Sequence, residues 1–311
     1  MIKRTLYFGN PAYLHKEKLQ LKVDFPSEEG KSAKTIPIED IGILILDHPR
    51  ITISQALLAD LIDHNAAILS CDSRHLPAGL FMPMSANHTF TEKLRFQLES
   101  SEPLRKNLWQ QTVKSKIENQ SQVLKGIGKE ASNMENWASK VRSGDPDNYE
   151  GRAAANYWVK LIESDFPFRR GRYEDVPNNL LNYGYAILRA IVARSLVASG
   201  MLPAVGIHHR NKYNPFCLAD DIMEPYRPFV DLLVLDIVEN FDTEDIEILS
   251  PAIKRELLAL PTIDVYIDDM KSPLMVGMQR TTASLMQCYE GERRKIAYPK
   301  IQIGNVKPRS V

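Results

Sequence analysis

The chain has 311 residues, of which 44% are hydrophobic, and its Lys plus Arg and Asp plus Glu totals are 39 each. This length is long for one hydrophobic core and favours two domains. The balanced charge excludes the general basic excess of many nucleic-acid-binding proteins, so any nucleic-acid surface must be local.

The cysteines and the hydropathy pattern exclude further classes. Cys71, Cys217 and Cys288 form no CxxC pair, which argues against a disulfide framework and against a thiolate zinc site. No stretch approaches the roughly 18 uncharged apolar residues of a membrane span, and the first residues lack the apolar core of a secretory signal. We therefore expect a cytoplasmic protein.

The first part of the chain has the periodicity of strands. Residues 18–25 alternate between apolar and polar side chains, and residues 41–47 form a continuous apolar run, which is typical of a strand buried on both faces. Apolar residues at helical spacing over 53–65 predict one helix, followed by a short strand over 66–72. These elements predict a small β domain over residues 1–85.

Beyond this point the periodicity becomes helical. Helices are predicted over 88–100, 110–128, 148–164 and 178–200. Gly200 and Pro203 supply the stop signals that end the last of them. We expect residues 81–89 to link the β domain to a mostly helical domain over 86–311, which makes the fold α+β.

One polar stretch, residues 206–231, contains adjacent histidines followed by acidic residues. On a helix, Asp221 and Glu224 would share a face, and two such carboxylates can bind one hard divalent cation. An imidazole from His208 or His209 would complete an oxygen and nitrogen site suited to Mn²⁺ or Mg²⁺. Spacing alone favours the ordinary alternative, in which the acids lie on a solvated helix face.

A distant acid is a further candidate for the metal site, and two basic segments are candidates for phosphate binding. Glu150 lies near the start of a predicted helix whose small residues would let another helix approach, although an acidic first turn also simply complements the helix dipole. The segment 168–173 and the tail from Arg293 onward are the main basic concentrations. Phosphate binding and a plain solvated loop or tail both stay open for them.

Four motifs follow one another along the chain: EGRAAANYW (150–158), NNLLNYGYAILRA (178–190), GIHHRN (206–211) and LADDIMEPYRPFVD (218–231). In this order they resemble the CRISPR-associated integrase family, the metal-dependent catalytic subunit of spacer acquisition. The resemblance extends over essentially the whole chain. The last motif is most similar to the branch that accompanies the single-protein effector nuclease of type II systems.

The resemblance implies an architecture and a set of partners. A small N-terminal β-sandwich domain would serve dimerisation and DNA contact, and a larger all-α C-terminal domain would be catalytic. Two homodimers would assemble around a dimer of a second, small acquisition protein, which gives a heterohexamer, and the RNA-guided effector nuclease is a possible further partner. The enzyme would join the 3′-hydroxyl ends of double-stranded prespacer DNA to CRISPR repeat DNA with Mg²⁺ or Mn²⁺.

The resemblance also implies site residues. The metal ligands and catalytic residues would be Glu150, His209, Asp221 and Glu224. His209 is preferred to His208 because the family pattern counts from Gly206, and the doubled aspartate leaves Asp220 open as an alternative to Asp221. The residues expected to contact DNA phosphates are Arg169, Arg170, Arg172 and Arg210.

These residue types suit phosphodiester chemistry. A DNA 3′-hydroxyl is a poor nucleophile, and a bound divalent ion can lower its pKa, neutralise the phosphoryl oxygens and stabilise the leaving alkoxide. Two alternatives stay open at this point. One is a stand-alone metal-dependent nuclease acting on branched DNA, and the other is a non-catalytic DNA-binding scaffold whose acids stabilise the helical fold.

Overall fold

The computed structural model describes residues 3–26, 34–73, 75–84, 87–162, 170–171 and 176–302. Strands predominate in the N-terminal part, with one α-helix between the sixth and seventh strands. These elements are β1 Arg4–Phe8, β2 Ala12–Glu17, β3 Gln20–Asp24, β4 Lys34–Pro37, β5 Ile41–Leu46, β6 Ile51–Ile53, α1 Gln55–Asp63, β7 Ala67–Cys71 and β8 Pro77–Phe81.

These strands form two four-stranded sheets. The first has the order β1-β5-β7-β8, with β1 and β7 parallel to β5 and β8 antiparallel to β7. The second has the order β4-β3-β2-β6, in which β3 is antiparallel to both of its neighbours. Side chains of both sheets and of α1, including Leu14, Leu44 and Leu57, share one buried cluster, so the sheets pack face to face as a small β-sandwich.

The continuous apolar run of β5 is buried on both faces, as predicted. Leu44 faces the sandwich interior, whereas Ile43 and Ile45 belong to the core of the helical region. Alternate residues of a strand point to opposite sides, so β5 contacts both parts of the protein. The helical region therefore packs on the outer face of the β1-β5-β7-β8 sheet.

Helices predominate in the C-terminal part. They are α2 Phe90–Leu98, α3 Glu102–Gly126, α4 Ser132–Lys140, α5 Tyr149–Leu161, α6 Asn178–Ala198, α7 Cys217–Met223, α8 Arg227–Asn240, α9 Thr243–Glu247, α10 Pro251–Leu257 and α11 Leu274–Glu290. The predicted α+β class is confirmed. The division at residue 85 stays a prediction.

Two local differences from the sequence prediction have physical causes. Helix α3 begins eight residues before the predicted start at residue 110, because the Ser101 hydroxyl accepts from the Leu104 N–H and Pro103 occupies the first turn. An antiparallel hairpin, β9 Asp264–Ile267 and β10 Met270–Pro273, lies within the region expected to be all-α. Its turn is formed by Asp268 and Asp269 at positive φ, which is a weaker signal than a glycine turn.

Helix α6 is the central helix of the C-terminal part. It is long and apolar enough to cross a membrane, but 83% of its apolar window is buried inside the fold, as in the core helix of a folded domain. A Cβ at Gly184 would lie 2.5 Å from Val230 Cγ1, so this glycine permits the close approach of α8. The helix ends where predicted, with Gly200 at φ +85°.

Candidate active site

The start of α5 is built so that Glu150 is fixed in place. Asp145 accepts hydrogen bonds from the backbone N–H groups of Tyr149 and Glu150 at 3.0 and 2.9 Å. The Asn148 side chain accepts from the N–H of Gly151. A Cβ at Gly151 would lie 2.8 Å from the Asn148 amide, so a larger residue there would displace this capping side chain.

Glu224 lies at the junction of α7 and α8. It begins a short 3₁₀ turn, Glu224–Tyr226, and is 6% exposed. Its Oε1 is 2.9 Å from Arg227 Nε. Burial raises the pKa of Glu224, but the nearby Arg227 and Lys116 cations outweigh this effect, so the pKa ends below its usual value.

Lys116, in the middle of α3, joins Glu150 to Glu224. Its ammonium is in contact with Glu150 Oε1 and lies 2.6 Å from Glu224 Oε2, and the residue is 6% exposed. Burial lowers the pKa of Lys116, but the Glu224 and Glu150 carboxylates raise it more, so the ammonium stays charged. Three separate helical segments thus bring two carboxylates onto one buried cation.

His209 is held by Asp221. The Asp221 carboxylate is fully buried, and its Oδ1 lies 2.5 Å from His209 Nδ1. It also accepts from the backbone N–H groups of His208 and His209. A Cβ at Gly206 would lie 2.4 Å from the His209 carbonyl oxygen and 2.8 Å from Asp221 Oδ2, so the tight loop requires glycine there. The hydrogen bond to Asp221 raises the pKa of His209, against the opposing effect of burial.

The neighbouring His208 has a different environment. Its ring stacks on the indole of Trp109 from α3, with centroids 4.1 Å apart and an interplanar angle of 3°. The ring of His209 meets the same indole edge-on at 5.7 Å. Partial burial lowers the pKa of His208. Trp109 thus forms one wall against which the two-histidine loop packs.

The group formed by Glu150, Lys116 and Glu224 and the pair formed by His209 and Asp221 influence each other electrostatically. The Glu224 charge contributes to raising the pKa of His209, and the His209 charge to lowering that of Glu224. Within the described ranges, no three His, Cys, Asp or Glu side chains are grouped so that they could hold a metal ion as they stand. The ammonium of Lys116 lies between the two glutamates.

The Asp220 carboxylate is engaged elsewhere. Its Oδ1 lies 2.7 Å from Arg189 Nε on α6, and its Oδ2 accepts from the Asn214 amide at 2.7 Å. Asp220 therefore ties α7 to α6 and to the preceding loop. This geometry favours Asp221 over Asp220 as the acid that serves the histidine loop.

The structure separates the predicted phosphate-binding arginines. Arg170 donates to the Asn178 and Asn182 side chains and lies over the Tyr185 ring, so it contributes to packing at the start of α6. Arg210 is exposed beside His209. Arg169 and Arg172 lie outside the described residues.

A cavity of about 730 Å³ opens beside the histidine loop. Its lining combines cationic side chains with an aromatic ring, and includes Arg105, His209, Arg210, Lys212 and Tyr213. The Tyr213 ring is 80% exposed. Exposed aromatic rings beside cations suit a strand of nucleic acid, because bases stack on the ring while phosphates pair with the cations.

Sequence reasoning missed Lys116 and Trp109. Both lie on α3, whose buried positions include Leu108, Thr112 and Lys116 at intervals of four. The signal that could have identified Lys116 is a lysine that continues a buried stripe at helical spacing. Because burying an unpaired ammonium is costly, such a lysine predicts acidic partners from other segments.

Comparison with known proteins gives a consistent result. Residues 6–247 match the family described as CRISPR associated protein Cas1. The CRISPR-associated endonuclease Cas1 of Neisseria meningitidis serogroup C (strain 8013) is 36% identical over 286 residues, which cover 91% of each chain.

Solved structures with low sequence identity share the fold. A casposase bound to integration product aligns with a TM-score of 0.81 at 20% identity, covering 98% of this chain and 96% of that chain. A longer chain in a Cas6-RT-Cas1–Cas2 complex aligns with a TM-score of 0.72 at 18% identity, covering 97% of this chain and 37% of that one. These likenesses confirm the architecture of a β-rich N-terminal part followed by a mostly helical part.

Proposed function

The chain belongs to the Cas1 family of CRISPR-associated proteins, and we propose that it is the DNA integrase of spacer acquisition. It would join the 3′-hydroxyl ends of a prespacer duplex to the repeat of a CRISPR array by transesterification, and hydrolysis at the same site would give endonuclease activity. The family prediction from the four motifs is confirmed. The assignment to a type II system stays a prediction.

The observation that carries the proposal is the meeting of Glu150 and Glu224 on a buried cation beside His209. Burying carboxylates is expensive unless cations match them, so a fold selected for stability alone would more simply place apolar side chains there. Acids brought together from α5 and the α7–α8 junction are the arrangement that a metal-dependent nuclease requires.

The donor set fits Mg²⁺ or Mn²⁺. Carboxylate oxygens with one imidazole nitrogen are ligands that these hard or borderline ions accept. Glu150, Glu224 and the Nε2 of His209 would hold the ion, and Asp221 would fix the ring through Nδ1. When bound, the ion would lower the pKa of the attacking hydroxyl and stabilise the charge on the phosphoryl oxygens.

Other side chains would bind and orient the DNA. Arg210 and Lys212 lie one and three residues after His209 on the loop and line the adjacent cavity together with Arg105. Contacts from such cations to phosphates position a strand without reading its sequence. The exposed ring of Tyr213 offers a stacking surface for one base. The strand that ends in the reacting hydroxyl would thus reach His209 along this cavity.

The assembly follows from the same proposal. The chain would form a homodimer, and two such dimers would join the small second acquisition protein, as the Cas1–Cas2 neighbour suggests. The proposed substrates of this chain are chromosomal and invading DNA, so we expect the chain to act in the cytoplasm. Contact with an RNA-guided effector nuclease belongs to the type II prediction.

An integration assay tests the proposed function. Purified protein, its small partner, a prespacer duplex and a plasmid bearing a repeat array should give joined half-site products with Mg²⁺ or Mn²⁺. Glu150→Gln and Glu224→Gln should each lower the yield by at least about 100-fold, since each removes a negatively charged ligand. Glu256→Gln, an exposed change on α10, is the matched control and should leave the yield unchanged.

Other results of the integration assay would overturn the assignment of the site or support one of the alternative functions. Undiminished joining by the Glu150 and Glu224 variants would overturn the assignment of the site. Cleaved but never joined products would favour the branched-DNA nuclease. DNA binding with neither cleavage nor joining, unchanged by EDTA or added metal, would favour the non-catalytic scaffold.

A further inference from the structure

Lys116 occupies the space between the two carboxylates that are proposed as metal ligands. Its ammonium contacts Glu150 Oε1 and Glu224 Oε2, while Arg227 Nε lies 2.9 Å from the other oxygen of Glu224, Oε1. Two carboxylates thus face two cations, and this group of four is formally neutral. The mechanism proposed above gives Lys116 no part.

We propose that Lys116 is a positioning residue that stands in for the divalent ion in the metal-free protein and leaves when the ion binds. The inference rests on the proposed function, since it takes Glu150 and Glu224 as ligands. The lysine would keep the buried Glu224 carboxylate and the partly exposed Glu150 carboxylate ionised and facing each other before the ion arrives. It would also compete with the ion for the same oxygens.

Charge and space both require the exchange. A divalent ion coordinates carboxylate oxygens at about 2.0–2.6 Å. The ammonium lies between Glu150 Oε1 and Glu224 Oε2, so an ion that bridges these two oxygens would have to occupy the position that the ammonium now holds. Adding two positive charges to a neutral group with Lys116 still in place would also place like charges side by side in a buried region, where repulsion is strong.

The lysine side chain suits this role. Its charge is a compact ammonium on a flexible four-carbon stem, which can swing away while α3 stays in place. Arg227 differs in this respect, because its planar guanidinium is wedged between Glu224 and the Tyr185 ring, 4.7 Å from the ring centroid. We therefore assign the exchange to Lys116 and not to Arg227.

Direct measurement of metal binding tests the exchange. Free Mn²⁺ is counted by electron paramagnetic resonance in titrations of the wild-type protein, Lys116→Met and the matched control Lys114→Met, a half-exposed lysine on the same helix. If Lys116 fills the site in most molecules, the apparent affinity for Mn²⁺ equals the intrinsic affinity multiplied by the fraction of molecules whose site is free of the lysine. We expect Lys116→Met to bind Mn²⁺ at least about tenfold more tightly and Lys114→Met to bind like the wild type.

Equal or weaker Mn²⁺ binding by Lys116→Met overturns the proposal. Glu224→Gln in the same titration separates this result from failure of the proposed function. Binding that Glu224→Gln abolishes and Lys116→Met leaves unchanged removes only the exchange. Binding that Glu224→Gln leaves unchanged shows that the ion lies elsewhere, and it removes both proposals.

A measurement on the wild-type protein covers the case in which Lys116→Met does not fold. Reductive methylation with formaldehyde, read by mass spectrometry, reports which lysines are accessible. Lys116 should be protected without Mn²⁺ and become modified at saturating Mn²⁺. Lys254, which is equally buried but paired with Asp47, should be protected in both conditions. Continued protection of Lys116 at saturating Mn²⁺ contradicts the exchange.

Discussion

The ring of His209 is oriented by the carboxylate of Asp221, with 2.5 Å between Nδ1 and Oδ1. Both oxygens of Asp221 also accept backbone N–H groups of the histidine loop. A carboxylate can only accept, so Nδ1 carries the proton and Nε2 is left as the nitrogen that can bind a metal. Asp221 thereby acts through His209, and any direct metal contact by Asp221 stays a prediction.

Asp221→Asn should weaken metal binding and lower the integration rate by about 10–100-fold, the usual effect of losing a carboxylate that orients a histidine ligand. The amide oxygen still accepts one of the two backbone N–H groups of the loop, and urea unfolding shows whether the variant keeps its fold. Asp220→Asn is the matched control, and its rate should stay within about threefold of the wild type, since Asp220 contacts Arg189 and Asn214 instead. Loss of activity in Asp220→Asn alone would reverse the assignment of the two acids.

The two histidines should differ in the same assay. His209→Ala should abolish joining, whereas His208→Ala should retain most of it, because His208 stacks on Trp109 and its backbone N–H still reaches Asp221. Loss of the stacked pair should cost about 0.5–1.5 kcal/mol in the free energy of unfolding. Integration rates and urea unfolding curves of both variants check this. Equal inactivation of the two would contradict the division of roles.

The sequence predicted those features that depend on local pattern. The two-faced burial of residues 41–47 followed from their continuous apolar run, and the end of α6 followed from Gly200. The family resemblance decided in favour of Glu150 and Glu224 as ligands. Local pattern alone favoured a solvated helix face for Glu224 and an acidic first turn for Glu150.

Features that depend on distant residues could not be predicted in this way. Lys116 meets Glu150 and Glu224 only because α3 passes between α5 and the α7–α8 junction. The Asp47–Lys254 pair joins residues more than 200 positions apart. No periodicity within one segment carries such information, since it arises from how the helices and sheets pack together.

Asp47 and Lys254 connect the β-sandwich to α10. Their buried ion pair has an Nζ to Oδ2 distance of 2.6 Å, and Asp47 also binds Tyr7 and His75. Asp47→Asn should lower the free energy of unfolding by about 3–5 kcal/mol, because it leaves the Lys254 charge buried and unpaired. The double variant with Lys254→Met should recover more than half of this loss. A urea midpoint for Asp47→Asn equal to that of the wild type would refute the prediction.

Asp231 should make stability depend on pH. Burial raises the pKa of this carboxyl to about 6, although hydrogen bonds from Tyr185 and Tyr157 oppose the shift. Between about pH 4 and pH 6, the folded protein therefore holds a proton that the unfolded chain, in which the pKa of this carboxyl is 3.8, has lost. The contribution of Asp231 to stability is therefore full below about pH 4 and falls as the pH rises to about 6.

Asp231→Asn removes this titration. Between pH 4 and pH 7 the variant should gain on the order of 2 kcal/mol relative to the wild type in urea unfolding experiments. Asp242→Asn, an exposed change, is the control and should follow the wild type at every pH. A constant difference between Asp231→Asn and the wild type across this range would show that the carboxyl is not protonated in the folded protein.

Arg210 and Arg170 should respond differently to the same truncation. Arg210→Ala removes an exposed cation beside His209, so it should weaken DNA binding for all sequences and reduce the slope of log affinity against log salt by about 1. Arg170→Ala should leave that slope unchanged and lower the free energy of unfolding by about 1–3 kcal/mol, because the hydrogen bonds from Arg170 to Asn178 and Asn182 are lost. Fluorescence anisotropy of a labelled duplex at several salt concentrations, with urea unfolding of each variant, measures both quantities. A reduced salt slope in Arg170→Ala with unchanged stability, together with an unchanged slope in Arg210→Ala, would place Arg170, and not Arg210, on the DNA path.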